Sequence, residues 1–285
     1  PDFTVDVKTE GILTCGIEIS QEAACALIES FNLNAGGTPG PTTVVTDATY
    51  AYFLQANNAS KIWRVHRVVG TITLLNIADI TPNFRGSYAA TIKSGFLYWC
   101  GQRNVGAGFP AYFAKINLST FLSSDVELLP FTANFVSNTW WVPSGAFTDT
   151  AGNWLYVGNK LSSGANSPPI ARVALTGTFT SAAIQQLDTT AVHADLKFFR
   201  GAVTDGTYGY FGPYNFNLVC ILNLSDFTIT GVDYYDIGAD ANIAYSWGDL
   251  PWLDSSWLYF VAGGNDDQPR LGRMNLASHT PGSSL

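Results

Sequence analysis

Four aspartates recur along the chain in similar company. Asp47, Asp149, Asp205 and Asp254 each follow a short apolar run, and an aromatic-rich run begins a few residues later. A ring of carboxylates could hold a metal ion or divide acid and base roles. Their positions favour a simpler role. Each stands between two apolar runs, where Asp closes a turn with its own side chain, and Ala48, Gly206 and Ser255 supply the small neighbour that turns prefer. Histidine is the usual proton carrier near neutral pH. Of His66, His193 and His279, only His193 has a carboxylate nearby, in His193-Ala194-Asp195. Together with Arg200 this pair is a candidate centre for a hydrolase or lyase acting on a sugar or lactone, and a polar loop histidine is the plainer reading. No GxSxG, HExxH or phosphate-loop pattern is present, and four of the five glutamates fall within residues 10–29, so a paired-glutamate glycosidase centre is not supported.

A second set of residues suits recognition rather than catalysis. Four segments, NFRGSY (83–88), NTWWVPSG (138–145), LKFFRGAV (196–203) and YSWGDLPW (245–252), carry an aromatic or an arginine at nearly the same offset. They contribute Phe84 and Arg85, Trp140 and Trp141, Phe199 and Arg200, and Tyr245 and Trp247. Aromatic faces beside guanidinium groups suit sugars, peptides or aromatic ligands. The alternative is that these rings pack between sheets. The candidate ligand-binding residues are therefore Arg85, Trp140, Trp141, Arg200 and Trp247, with Arg103 and Asn104 expected near the same rim. Asn265-Asp266-Asp267 could hold a weak calcium ion, but no metal or cofactor is expected to be needed.

The totals narrow the classes. A charge of −8 and the lack of any basic run argue against binding nucleic acid through phosphates. No apolar stretch approaches the roughly 20 residues of a membrane-spanning helix. Charged residues make up 13%, well below the usual value of about 25%, while Thr, Tyr, Val, Phe and Trp are plentiful, which is a strand-rich composition. Cys15, Cys25, Cys100 and Cys220 lack zinc-ligand spacing. Cys15 and Cys25 could close a small disulfide loop, whereas Cys100 and Cys220 lie in apolar runs and read as small buried side chains.

The elements that must position these residues repeat. In residues 201–237, four apolar runs are divided by turn signals at Asp205-Gly206 and Ser225-Asp226, predicting a four-stranded antiparallel meander. Comparable copies span 42–77, 86–131, 142–187 and 244–277. Tyr52, Tyr98, Tyr156, Tyr210 and Tyr259 mark them at intervals of about 50 residues, and Ser94-Gly95 replaces the Asp turn in the second. Repeats of about 40 to 50 residues with four strands each indicate a β-propeller. Thr204-Asp205-Gly206, Tyr210-Phe211, Ile221-Leu222-Asn223-Leu224-Ser225 and Lys115-Ile116-Asn117-Leu118-Ser119-Thr120-Phe121 resemble the YVTN-type and related propeller repeats of extracellular and surface-layer proteins. The resemblance covers roughly residues 42–277.

An all-β propeller of four-stranded antiparallel blades is therefore expected, with five clear repeats and room for a sixth. The last copy stops after its third strand, so the N-terminal run Phe3–Lys8 is expected to close the ring by supplying the fourth. Residues 20–31 read either as a short helix or as part of a degenerate sixth blade. The whole of 1–285 is expected to be one domain, with an irregular stretch at 1–41 and a tail at 278–285. In propellers, the loops entering the first strands, with those joining strands two and three, crowd the mouth of the central channel. The segments above would lie there. The sequons at Asn58, Asn117 and Asn223 are candidate glycosylation sites if the protein is secreted. The expected function is a secreted or surface-exposed binding or structural module, recognising a glycan or extracellular protein partner, rather than an enzyme. An architectural subunit of a filament or adhesin, self-assembling through its aromatics, is a further alternative.

Overall fold

The structure is a computed structural model that describes residues 3–8, 12–17, 41–55, 61–76, 84–103, 111–130, 143–159, 169–180, 183–214, 216–237, 251–263 and 269–278. Strands β1 (Phe3–Lys8) and β2 (Ile12–Ile17) form a hairpin. Blade 1 holds β3 (Pro41–Thr46), β4 (Tyr50–Gln55), β5 (Lys61–His66) and β6 (Ile72–Asn76). Blade 2 holds β7 (Phe84–Lys93), β8 (Phe96–Arg103), β9 (Ala111–Asn117) and β10 (Glu127–Pro130). Blade 3 holds β11 (Pro143–Thr148), β12 (Trp154–Asn159), β13 (Ile170–Ala174) and β14 (Ile184–Leu187). Blade 4 holds β15 (Phe199–Thr204), β16 (Tyr208–Pro213), β17 (Leu218–Asn223) and β18 (Val232–Asp236). Blade 5 holds β19 (Trp252–Leu253), β20 (Trp257–Gly263) and β21 (Pro269–Asn275). Every blade is an antiparallel meander in chain order.

The turns between first and second strands show what the recurring aspartates do. Asp47 Oδ1 accepts the backbone N–H groups of Thr49 and Tyr50, and Oδ2 accepts the Tyr52 hydroxyl at 2.8 Å. Asp205 does the same with Thr207, Tyr208 and Tyr210, and Asp254 with Ser256, Trp257 and Tyr259. Asp149 caps Asn153 and Trp154. Blade 2 dispenses with the carboxylate: Ser94 and Gly95 adopt φ of 50° and 79°, and two positive φ values make the hairpin turn directly.

The first strands of successive blades pack side by side, running the same way. At their starts, a Cβ on Gly145 (φ 75°) would sit 2.5 Å from the Ala202 nitrogen. At their ends, Lys93 Nζ donates to the Ala151 carbonyl at 3.0 Å, and Thr150 Oγ1 to the Gly206 carbonyl at 3.1 Å. The core lies between blades. Tyr52, Leu54 and Ile62 of blade 1 meet Leu97, Trp99 and Ala114 of blade 2, and the next three interfaces repeat the arrangement. Each such large side chain contributes about 1.5–3 kcal/mol when fully buried.

A cation reinforces three of these interfaces. Arg64 lies 4.7 Å from the Tyr50 ring centroid and 4.5 Å from that of Phe121 in the next blade. Lys115 is placed likewise between Phe96 and Phe179, and Arg172 between Trp154 and Phe227, at 4.1 Å from each. In blade 5, Arg273 covers Trp257. The equivalent position in blade 4 is Ile221, which pairs with Tyr210.

The N-terminal strand differs from expectation. β1 pairs with β2 in a separate two-stranded sheet, while blade 5 has three strands among the described residues. Only three residues separate β1 from β2 in sequence, and the strand's hydrogen bonds go to that neighbour. The fourth strand of blade 4 also begins later than the apolar run predicts. Asp226 accepts the hydroxyls of Thr228 and Thr230, and a 3₁₀ turn at Ile229–Gly231 precedes β18. Cys100 and Cys220 are buried thiols, as the sequence suggests, and burial pushes both above the usual thiol range. Residues 20–31, Cys25 and Asn58 lie outside the described residues.

Candidate functional site

The end of the ring opposite the aspartate turns is where the first strands start and the second strands stop. Each of the first four blades breaks its ladder there. The register shifts between Pro41 and Thr43, at two steps between Arg85 and Ala89, between Pro143 and Ala146, and between Phe199 and Gly201. A bulge turns a side chain out of the alternation and re-aims it. In blade 4 the re-aimed residue is Arg200.

Arg200 is half-buried, its guanidinium carbon 5.5 Å from the Tyr214 ring centroid. Desolvation lowers its pKa from the usual guanidinium value, opposed by Tyr214. Its carbonyl accepts the buried Ser144 hydroxyl of blade 3 at 2.5 Å, which ties the bulge to the neighbouring blade. The residues entering the strand complete a cluster. Phe198 stacks on Phe216 with centroids 5.6 Å apart and planes 13° from parallel, and Lys197 Nζ lies within 5.7 Å of both rings. Phe198 has φ 61°, a conformation that non-glycine residues rarely adopt. It is held by a 2.7 Å bond from the Tyr214 backbone N–H to the Phe198 carbonyl. Two cations and three aromatic rings thus stand, half-buried, at one strand entrance.

Phe199 takes the structural role weighed for such rings: it is fully buried against Phe211 between blades 3 and 4. Arg85 and Arg103 lie at the same end of blade 2, in neighbouring rungs where Phe84 pairs with Arg103 and Arg85 with Gln102. Gln55 and Asn159 end the second strands of blades 1 and 3 there as buried polar side chains. Trp140, Trp141, Tyr245, Trp247, Asn104 and Asn265–Asp267 lie outside the described residues. Sequence reasoning singled out the 197–200 segment but named Phe199 and not Phe198 as its aromatic, and it passed over Tyr214 and Phe216. The available signal was the second aromatic of Phe198-Phe199, since only one of two adjacent strand residues can face the core.

The proposed proton-transfer trio is not assembled. His193 Nδ1 accepts the backbone N–H of Asp195 at 3.2 Å, and its ring packs 5.1 Å from Tyr234 on the outermost strand, β18. Arg200 belongs to the innermost strand, β15, so the blade separates them. Chain proximity misled: Leu196 and Phe199, which lie between Asp195 and Arg200 in sequence, are buried in the core between blades 3 and 4. No cluster of three or more His, Cys, Asp or Glu occurs among the described residues. Asn117 and Asn223 occupy equivalent turns, each Oδ1 accepting the N–H and hydroxyl of the serine two residues on.

The fold has solved counterparts. The chain is similar to a structure described as a nidogen/laminin complex, at 16% identity and TM-score 0.50, over 81% of this chain and 75% of that one. It is also similar to a putative 6-phosphogluconolactonase from Bacteroides fragilis NCTC 9343, at 14% identity and TM-score 0.54, over 89% and 72%. A putative 6-phosphogluconolactonase from Bacteroides uniformis ATCC 8492 matches at 12% identity and TM-score 0.52, over 87% and 71%. This is a β-propeller. No protein-family model matches the chain, and no curated protein matches it in sequence. At these identities the propeller's neighbours speak to fold alone.

Proposed function

We propose that this propeller is a binding module, secreted or displayed on a surface, that recognises a glycan or an extracellular protein through the mouth of its ring. The observation that carries the reading is the blade-4 cluster of Lys197, Phe198, Arg200, Tyr214 and Phe216. It combines flat apolar faces with cationic donors on a rigid frame, the chemistry that suits sugar rings and acidic or aromatic side chains. The left-handed Phe198 fits this reading, because such conformations cost about 1–3 kcal/mol and concentrate at ligand sites. Arg85 and Arg103 extend the cationic character to blade 2, in a protein whose net charge is −8. One of the similar structures is described as a nidogen/laminin complex, which makes a protein partner the first class to test. The domain is taken as one unit, 1–285.

The test is a screen of the purified protein against glycans and extracellular matrix proteins, repeated with Arg200→Ala and Phe198→Ala. The reading expects each variant to bind at least about tenfold more weakly, the loss of roughly 1.4 kcal/mol or more that an interface anchor carries. Unchanged binding in both variants would remove the mouth from consideration.

A further inference from the structure

Blade 1 presents an apolar face on the side away from blade 2. The row Val44–Phe53–Trp63–Leu74 crosses all four of its strands, with Val65 and Ile72 paired beside it. In the next three blades the equivalent rows run through Trp99, Val157 and Phe211, and all three are fully buried against the preceding blade. In blade 1, Trp63 and Val65 at the middle are buried, but Val44, Ile72 and Leu74 remain 42%, 46% and 51% exposed. The loop between the third and fourth strands makes the same point. In blades 2, 3 and 4 it sends Phe121, Phe179 and Phe227 to a cation of the preceding blade. In blade 1 it carries Val68 and Val69, 87% and 64% exposed. The loop is nevertheless ordered, since both backbone N–H groups donate to His66 Nδ1.

The chain carries a matching element upstream of blade 1. The β1–β2 register pairs Phe3 with Ile17, Val5 with Cys15 and Val7 with Leu13, so six apolar residues share one face of the hairpin. The other face carries Thr4, Asp6, Lys8, Ile12, Thr14 and Gly16. A two-stranded hairpin is at best marginally stable in water until it buries such a face.

We propose that the β1–β2 hairpin packs its Phe3/Val5/Val7/Leu13/Cys15/Ile17 face onto the Val44/Ile72/Leu74 face of blade 1, as a cap in the place that a preceding blade would occupy. Propeller blades neighbour one another in chain order, which puts the upstream segment on this side. The hairpin thus stacks face to face on blade 1, and does not extend blade 5 edge to edge.

Cys15 lies at the centre of the hairpin's apolar face and can report the contact. In the full-length Cys25→Ser protein, Val44→Cys, Ile72→Cys and Leu74→Cys are introduced one at a time, with Leu122→Cys and Ile229→Cys as exposed controls on other blades. After mild oxidation, at least one blade-1 cysteine is expected to form an intramolecular disulfide with Cys15, identified by peptide mapping, and neither control is. No crosslink at any of the three positions overturns the proposal. So do crosslinks that join two chains, which would make a second copy the occupant. A second measurement needs no cysteine chemistry. Val7→Asp should lower Tm by several degrees alone and by much less in a Leu74→Asp background, whereas additive shifts overturn the contact.

Discussion

Asp47 and Arg172 show how single side chains serve the ring. The Asp47 carboxyl is raised by burial, but the N–H groups of Tyr50 and Thr49 and the Tyr52 hydroxyl outweigh this and hold it below the usual carboxylate range. A depressed pKa stabilises the fold above the unfolded value of about 3.9, and the contribution is lost as pH falls through the folded value. Asp47→Asn should therefore lower stability at neutral pH by about 1–2 kcal/mol, with the gap from wild type closing below about pH 4, read from denaturant midpoints across pH. Arg172 bonds Gln185 through Nε and Nη2 and the Tyr156 hydroxyl through Nη1, between its two rings. Arg172→Ala should cost about 2–3 kcal/mol, and Arg172→Lys should recover only part of that, since an ammonium cannot reproduce the planar fork. The aspartates and tyrosines were legible one by one in the sequence because their bonds are local. The clamps were not, because Arg64 and Phe121, or Arg172 and Phe227, are more than fifty residues apart and meet only when blades stack.

At the scale of the strand, the glycines at the first-strand starts mark where neighbouring blades touch. Gly145→Ala must bear both φ 75° and a Cβ against the backbone of Gly201 and Ala202. Gly177 has φ 81° with open space around it. Thermal melts should show Gly177→Ala losing about 1 kcal/mol from backbone strain alone, and Gly145→Ala losing distinctly more. The bulges explain why the mouth was only partly readable. Alternation along LKFFRGAV leaves open which phenylalanine faces inward, and one extra residue in the ladder reverses the answer. The fold buries Phe199 and leaves Phe198 and Arg200 at the entrance. Phe198→Gly should therefore relieve backbone strain, leaving Tm level or higher, while weakening binding at the mouth.

Across the whole molecule, the stack of blades supplies stability, and the proposed recognition falls to the mouth. The repeated turns, tyrosines and asparagines made the propeller legible from residues 42–277, because each blade must satisfy the same packing on both faces. The two ends of the repeat series were harder to read, since residues 1–41 and the last copy, which stops after its third strand, depart from the repeated pattern. Fold and function part company at this scale, since one frame can host many activities, and on the proposed reading specificity falls to the mouth and not to the ring. The most direct test sets one arginine of the ring against one of the mouth. Tm and affinity for a partner identified in the screen are measured for Arg172→Ala and Arg200→Ala beside wild type. The account predicts that Arg172→Ala lowers Tm by several degrees with affinity retained below its melting range, while Arg200→Ala keeps its Tm and loses at least about tenfold in affinity. Full affinity in Arg200→Ala, or a fall in its Tm matching that of Arg172→Ala, would contradict it.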